Sequence, residues 1–149
     1  MDAKRMQIAL SARKKRPALC LLNGNEFNCV SYLEAGYDGL LLGGGVFNAF
    51  IAQQIMDAVQ EKNFAKAERL QKQMNRIMYA VYGGKKLTCW IAGEKQLLVE
   101  MGIFRTDVNL IGYRVNASCL RAIRKLMKEK QEILMPYQEC SSQVRYCES

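Results

Sequence analysis

The side chains able to carry chemistry in this sequence are cysteines, lysines, a few carboxylates and a run of glycines, for histidine is absent. Without an imidazole neither a Ser-His-Asp nor a Cys-His relay can be assembled, and most zinc sites are excluded. The six cysteines are Cys20, Cys29, Cys89, Cys119, Cys140 and Cys147, and no two of them have CxxC spacing. A metal needs several converging donors, so thiols this scattered predict no metal site. No secretory signal is read either, which makes reduced core or surface thiols the expectation. The run Gly43-Gly44-Gly45 offers backbone N–H groups of the kind that cradle phosphate. Asn48, however, stands where a third glycine belongs and no Gly-Lys-Ser/Thr follows, which argues against a nucleotide loop. No cofactor is expected.

The chain carries 22 Lys and Arg against 14 Asp and Glu, a net charge of +8. The excess lies in Lys4, Arg5 and Arg13–Arg16, and again in 121–130. A basic patch attracts anionic partners. These cations fall on helix surfaces without interleaved aromatics for base stacking, and no RNP, helix-turn-helix or finger pattern is present, so nucleic acid is disfavoured. With 149 residues, half of them hydrophobic, the chain is ordinary globular material rather than a disordered polyelectrolyte. No apolar run approaches the ~18 residues of a membrane span. The basic start leads into no apolar signal core, so a soluble cytoplasmic protein is expected.

The elements that must position these residues can be read from periodicity and punctuation. Residues 2–15 predict a helix with Met6, Ala9 and Leu10 on one face, ended by Arg16-Pro17. Ala18–Leu22 is a continuous apolar run that predicts a fully buried strand, turned by Asn23-Gly24-Asn25. Phe27–Ala35 predicts a short helix with Gly36 at its C′ position, and Gly39–Leu42 a second buried strand. From Val46 the 3.6-residue period runs through Phe47, Phe50, Ile51, Ile55, Ala58 and Val59. After a break at Lys62-Asn63, with Asn63 as N-cap, it resumes from Phe64 to Val81. Met74, Met78 and Tyr79 are read there as packing residues. A helix over 87–101 and a last one from Asn116 or Ser118 to Leu134 complete the set, and residues 136–149 are read as a frayed tail. Strands alternating with helices make the class α/β with a parallel sheet, yet two strands are few for an independent sheet.

The order of segments resembles one family. Gly24-Asn25-Glu26, then Ala35-Gly36-Tyr37-Asp38-Gly39, then L-L-L-G-G-G and a long helix, then Asn63 to Gln71 (N-F-A-K-A-E-R-L-Q), follow the pattern of the dihydrodipicolinate synthase and N-acetylneuraminate lyase family. These are (β/α)8-barrel class I aldolases. The stretch from Thr88 to Phe104 is similar to the C-terminal helices of the keto-acid aldolase members, so the resemblance covers about residues 2–135. It implies a partial TIM barrel: the last two parallel strands with their helices, plus the C-terminal helices. It further implies a 2-keto acid such as pyruvate as substrate class, and lyase or aldolase chemistry. A homo-oligomer, or a missing N-terminal half, is the implied partner.

In that family the Schiff-base lysine lies on strand 6, the proton-relaying tyrosine on strand 4, and a carboxylate-binding loop follows strand 2. No counterpart of the three is found here, the lysine's place falling near Met1. The chain is therefore expected to lack aldol activity on its own, its catalytic residues being none. Its site residues by resemblance are peripheral: Gly24, Asn25 and Glu26 after the first strand, and Leu42, Gly43 and Gly44 after the second, at the mouth where barrels bind substrate. Glu26 reads either as an acceptor for substrate hydroxyls or as a carboxylate favoured by a helix N-terminus. Sialic acid lyases usually carry another acid where Phe27 stands, which disfavours that substrate. The alternative to a truncated lyase is a non-catalytic half that assembles with itself or with an N-terminal half; a small basic nucleic-acid-binding protein ranks third.

Overall fold

The computed structural model describes residues 3–130, 133 and 134. The elements run α1 (Ala3–Lys15), β1 (Leu22–Asn23), a 3-10 turn (Glu26–Asn28), α2 (Cys29–Glu34), β2 (Gly39–Leu40), α3 (Gly45–Gln60), α4 (Phe64–Val81), α5 (Trp90–Glu100) and α6 (Ala117–Lys130). The class is α/β: mostly helices with a small parallel sheet. Two compact units divide the chain, Met1–Arg76 and Ile77–Ser149. The tail expected over 136–149 lies outside the described residues.

In the first unit β1 and β2 pair in parallel, Leu22 opposite Gly39 and Asn23 opposite Leu40. Both strands are shorter than the apolar runs that predict them, and the reason is local chemistry. The Leu21 N–H donates to the Asp38 carboxylate at 2.7 Å and the Leu19 carbonyl accepts from Arg13 Nε at 3.2 Å. The Leu19 N–H closes a turn on Arg16 O at 2.9 Å. Three of these backbone groups are thus taken by side chains and a turn, while the Leu21 carbonyl still accepts from Asp38 N at 2.8 Å across the strand pair, so the ladder is short. After β2, the Leu42 carbonyl already receives Gly45 N at 3.2 Å as the chain turns into α3. Nor are the strands fully buried: Leu22 is 49% exposed and Leu41 70%.

Arg13 fixes this corner. Its Nη1 donates to Gly36 O at 2.6 Å and its Nη2 pairs with Asp38, so the end of α1 is tied to the turn between α2 and β2. Gly36 ends α2 with φ +95°, its N–H returning to Leu33 O at 3.0 Å while Tyr37 N returns to Tyr32 O. This is the left-handed helix terminus that glycine accepts without a Cβ penalty. Along α3 the predicted face is buried at Phe47, Ile51, Ile55 and Ala58, whereas Phe50 is exposed. Asn63 caps α4 as its sequence position predicts, its Oδ1 accepting from Lys66 N at 3.2 Å.

In the second unit Met78, Val81 and Tyr82 are buried, with Ala92 and Leu97 of α5 and Ile123 of α6. The helix predicted over 87–101 begins later, at Trp90. Turns fill 82–87, where Leu87 adopts φ +51°, and Cys89 N donates to Tyr82 O at 2.9 Å. Gly93 sits against the end of α4: a Cβ there would lie 1.8 Å from Val81 O, so no other residue fits. Asn116 rather than Ser118 caps α6, accepting from Cys119 N at 2.9 Å. No helix among the described residues is long and apolar enough to cross a membrane.

Candidate functional site

The two loops that leave the parallel strands lie side by side in the first unit, and Glu26 joins them. Its Oε2 accepts the Gly44 N–H at 2.7 Å, and the residue is only 9% exposed. Gly44 is the N-cap of α3. The carboxylate therefore occupies a helix N-terminus, where the dipole and free N–H groups favour an anion. The helix is α3, across the site, rather than the one Glu26 begins. With a carboxylate already seated, this glycine run is poorly suited to take a phosphate.

The first loop is held from beneath. Asn23, buried at the end of β1, accepts from Asn25 N at 2.8 Å through Oδ1 and donates to Asn25 O at 3.0 Å through Nδ2. Asn25 in turn accepts from Phe27 N at 3.3 Å and caps the 3-10 turn. From α4, the buried Gln71 accepts from Cys29 N at 2.6 Å and donates to Glu26 O at 3.0 Å and Asn75 Oδ1 at 2.8 Å. Asn75 Nδ2 completes the set on Phe27 O at 3.1 Å. One amide pair on α4 thus satisfies the backbone of the turn carrying Glu26. Sequence reading passes over this role of Gln71. The available signal is that Gln71 falls on the apolar stripe of Ala67, Met74 and Met78, where a polar side chain requires a partner.

Of the six residues proposed from sequence, Glu26 and Gly44 are brought together at the base, Leu42 is half-buried, and Gly24, Asn25 and Gly43 are exposed at the loop tips. Around Gly43 a Cβ would meet nothing within 4 Å. Gly43 and Asn25 are among the exposed residues at these tips, the Asn25 Oδ1 being engaged by Phe27 N. Beneath, on the first turns of α3, Asn48 is 1% exposed and neither atom of its amide has a hydrogen-bond partner. An unsatisfied buried amide costs roughly 1–3 kcal/mol.

The site is weak in acid, base and nucleophile. Cys29, at the start of α2, has its thiol pushed up from 9.0 to about 12, first by burial and then by the nearby Glu26 carboxylate, so it stays protonated at neutral pH. The described lysines are all exposed or half-buried on helices and turns. Among the described residues no three Cys, Asp or Glu converge as metal donors.

The family model of the dihydrodipicolinate synthetase family matches residues 3–132. The chain belongs to this family. No curated protein matches it by sequence. Among solved structures, the N-acetylneuraminate lyase from Fusobacterium nucleatum superposes with a TM-score of 0.70 at 16% identity, over 89% of this chain and 43% of that one. A double variant of the 2-keto-3-deoxygluconate aldolase from Sulfolobus solfataricus superposes with a TM-score of 0.61 at 15% identity, over 91% of this chain and 44% of that one. At such identities these likenesses speak for the fold alone. This member of the dihydrodipicolinate synthetase family spans less than half the length of the solved structures it matches.

Proposed function

We propose that the chain is the C-terminal portion of a (β/α)8 keto-acid lyase or aldolase, with β1 and β2 as the last two barrel strands. Residues 1–135 form that portion. The loops at Gly24–Glu26 and Leu42–Gly44 form part of the mouth that receives a 2-keto acid such as pyruvate. The observation that carries this reading is the Glu26–Gly44 hydrogen bond, which holds the two strand-end loops as one unit in a chain of this family. Within the mouth, Asn25 and the Gly43 backbone face the substrate, and Glu26 sets the loops rather than moving protons.

Alone, the chain is catalytically silent. Class I chemistry condenses a deprotonated lysine with the keto carbon, and the imine formed withdraws electrons from the adjacent carbon. That lysine needs a desolvated barrel interior to lose its proton at neutral pH, and a carrier to move protons to and from substrate. No lysine of the chain stands in such a setting, and the tyrosine segment of the family has no counterpart. The test is borohydride reduction in the presence of pyruvate followed by mass spectrometry. The expected result is no specific adduct; a single stoichiometrically labelled lysine overturns the claim of silence.

A second reading is favoured by a separate set of observations: a half that assembles with an N-terminal half or with itself. Leu22 and Leu41 are exposed beside a two-stranded parallel sheet, and the Asn48 amide is buried without a partner. Parallel strands are normally covered on both faces. Light scattering on the chain alone distinguishes the readings, since a compact monomer at all concentrations counts against self-assembly.

A further inference from the structure

In the second unit the connection from α5 to α6 returns to the start of α5 and leaves an open cavity of about 580 Å³, lined by Thr88, Ile111, Gly112, Tyr113 and Arg114. That volume falls in the range of small-molecule sites. Its walls are held by the chain itself. Asn109 accepts from Tyr113 N at 3.2 Å through Oδ1 and donates to Tyr113 O at 2.9 Å through Nδ2, which closes the turn carrying Ile111 and Gly112. Lys95 of α5 donates from Nζ to Val108 O at 2.6 Å and ties the same connection to the helix. The Tyr113 ring meets the Trp90 ring perpendicularly, with centroids 5.8 Å apart and an interplanar angle of 89°. Gly112, at φ +80°, has nothing within 4 Å of where a Cβ would stand, so the space beside it is open.

In a perpendicular ring pair Trp90 covers at most one face of Tyr113, and a second ring packs favourably on what is left. Ile111, 65% exposed, adds an aliphatic side. Arg114 is the one charged residue of the lining, and no carboxylate there compensates it. It is exposed and takes part in none of the ion pairs among the described residues. The Thr88 hydroxyl proton is committed to Gly83 O at 3.0 Å, so Thr88 offers the cavity an acceptor and a methyl group. An anionic group is therefore disfavoured beside Thr88 and directed to Arg114. A guanidinium receives a carboxylate on two parallel N–H donors. We propose that this cavity binds a small aromatic carboxylate, with its ring against Tyr113 and Ile111 and its carboxylate on Arg114.

Both halves of such a ligand are needed. An uncharged aromatic leaves Arg114 without a partner, and a simple anion leaves the Tyr113 ring and Ile111 in water. The chain's net charge of +8 raises the local concentration of anions, which favours encounter. Because Asn109, Lys95 and Trp90 already fix the walls, binding orders little backbone and its entropic cost is low. The cavity lies wholly in the second unit, so its ligand is independent of what the strand-end loops of the first unit receive.

Trp90 is the single tryptophan of the chain, so its indole N–H gives one cross-peak in a proton–nitrogen correlation spectrum. The experiment titrates the labelled full chain with phenylacetate at neutral pH and follows that peak. The expected shift is saturable, with a dissociation constant of about 1 mM or lower. Acetate, which has the charge alone, and benzyl alcohol, which has the ring alone, bind about fivefold more weakly or worse. Arg114→Gln weakens phenylacetate by about fivefold, and the exposure of Arg114 leaves that variant folded, as circular dichroism checks. Tyr113→Leu weakens it by a similar factor, whereas Tyr113→Phe keeps the ring and keeps the binding. A shift that fails to saturate, or one as strong with acetate or benzyl alcohol, overturns the site. Unchanged phenylacetate binding in folded Arg114→Gln overturns the assignment of the carboxylate.

Discussion

At the scale of single residues, the Glu26 carboxylate accepts a helix-terminal N–H that belongs to Gly44, 18 residues further along the chain. Nothing in local spacing reveals such a pairing. Gln71 and Cys29 are 42 residues apart and equally invisible as a pair. Replacing Glu26 by Ala leaves the Gly44 N–H buried and unpaired, and a charge-assisted bond of this kind is worth about 1.5–3 kcal/mol. Glu26→Ala is therefore expected to lower stability by about 2 kcal/mol. Glu26→Gln, which keeps an acceptor but no charge, costs roughly half of that. Urea unfolding of the three chains checks the order, and equal losses for both variants would refute the role of the charge.

Cys29 allows a pH prediction with a definite sign. Its thiol is raised from 9.0 in its ordinary state to about 12 in the fold, so above pH 9 the unfolded chain releases a proton that the folded chain retains. The unfolded state then binds fewer protons, and stability falls with rising pH. The contribution is fully present below pH 9 and is lost between 9 and about 12, with a limiting slope of about 1.4 kcal/mol per pH unit. Other groups titrate in that range too, so the comparison is with Cys29→Ala. The wild-type chain is expected to lose stability more steeply than the variant from pH 9 to 11; parallel curves would show that the thiol ionises freely in the fold.

At the scale of elements, α1, α3, α4 and α6 are legible because a 3.6-residue stripe and its caps are local signals, and Gly36, Asn63 and Asn116 end or start helices as their types require. The strands are legible in place but not in length, since the atoms that shorten β1 are Arg13 and Asp38, brought in from α1 and from beyond α2. One terminus runs against type. Lys62 follows α3 with φ +57°, and Asn63 N bonds back to Ala58 O at 2.8 Å, so a lysine holds the left-handed position that glycine favours. The left-handed conformation costs a residue with a Cβ roughly 1–2 kcal/mol, partly offset by the greater unfolded-state freedom of glycine. Lys62→Gly is expected to stabilise the chain by about 0.5–1 kcal/mol, read as a higher urea midpoint with an unchanged slope. A destabilised variant would mean that the exposed lysine side chain contributes packing along α3.

At the scale of the whole molecule, membership of the dihydrodipicolinate synthetase family is legible in the sequence, whereas which apolar side chains stay exposed is set by the fold and is not. The alternation of side chains along a strand puts Leu22 and Leu41 on the same side of the small sheet, while Leu21 and Asn23 turn to the buried side. Two large aliphatic side chains, 49% and 70% exposed, beside a two-stranded sheet favour association through that face. Under the proposed self-assembly, association through this face makes the apparent mass rise with concentration, and a charge placed in the patch opposes it. Leu41→Asp is expected to shift the light-scattering mass toward that of one chain. Because Leu41 is 70% exposed already, the change should leave folded stability within about 0.5 kcal/mol. If Leu41→Asp associates as strongly as the parent chain, the contact lies on another surface, and the exposed leucines of the sheet carry no assembly role.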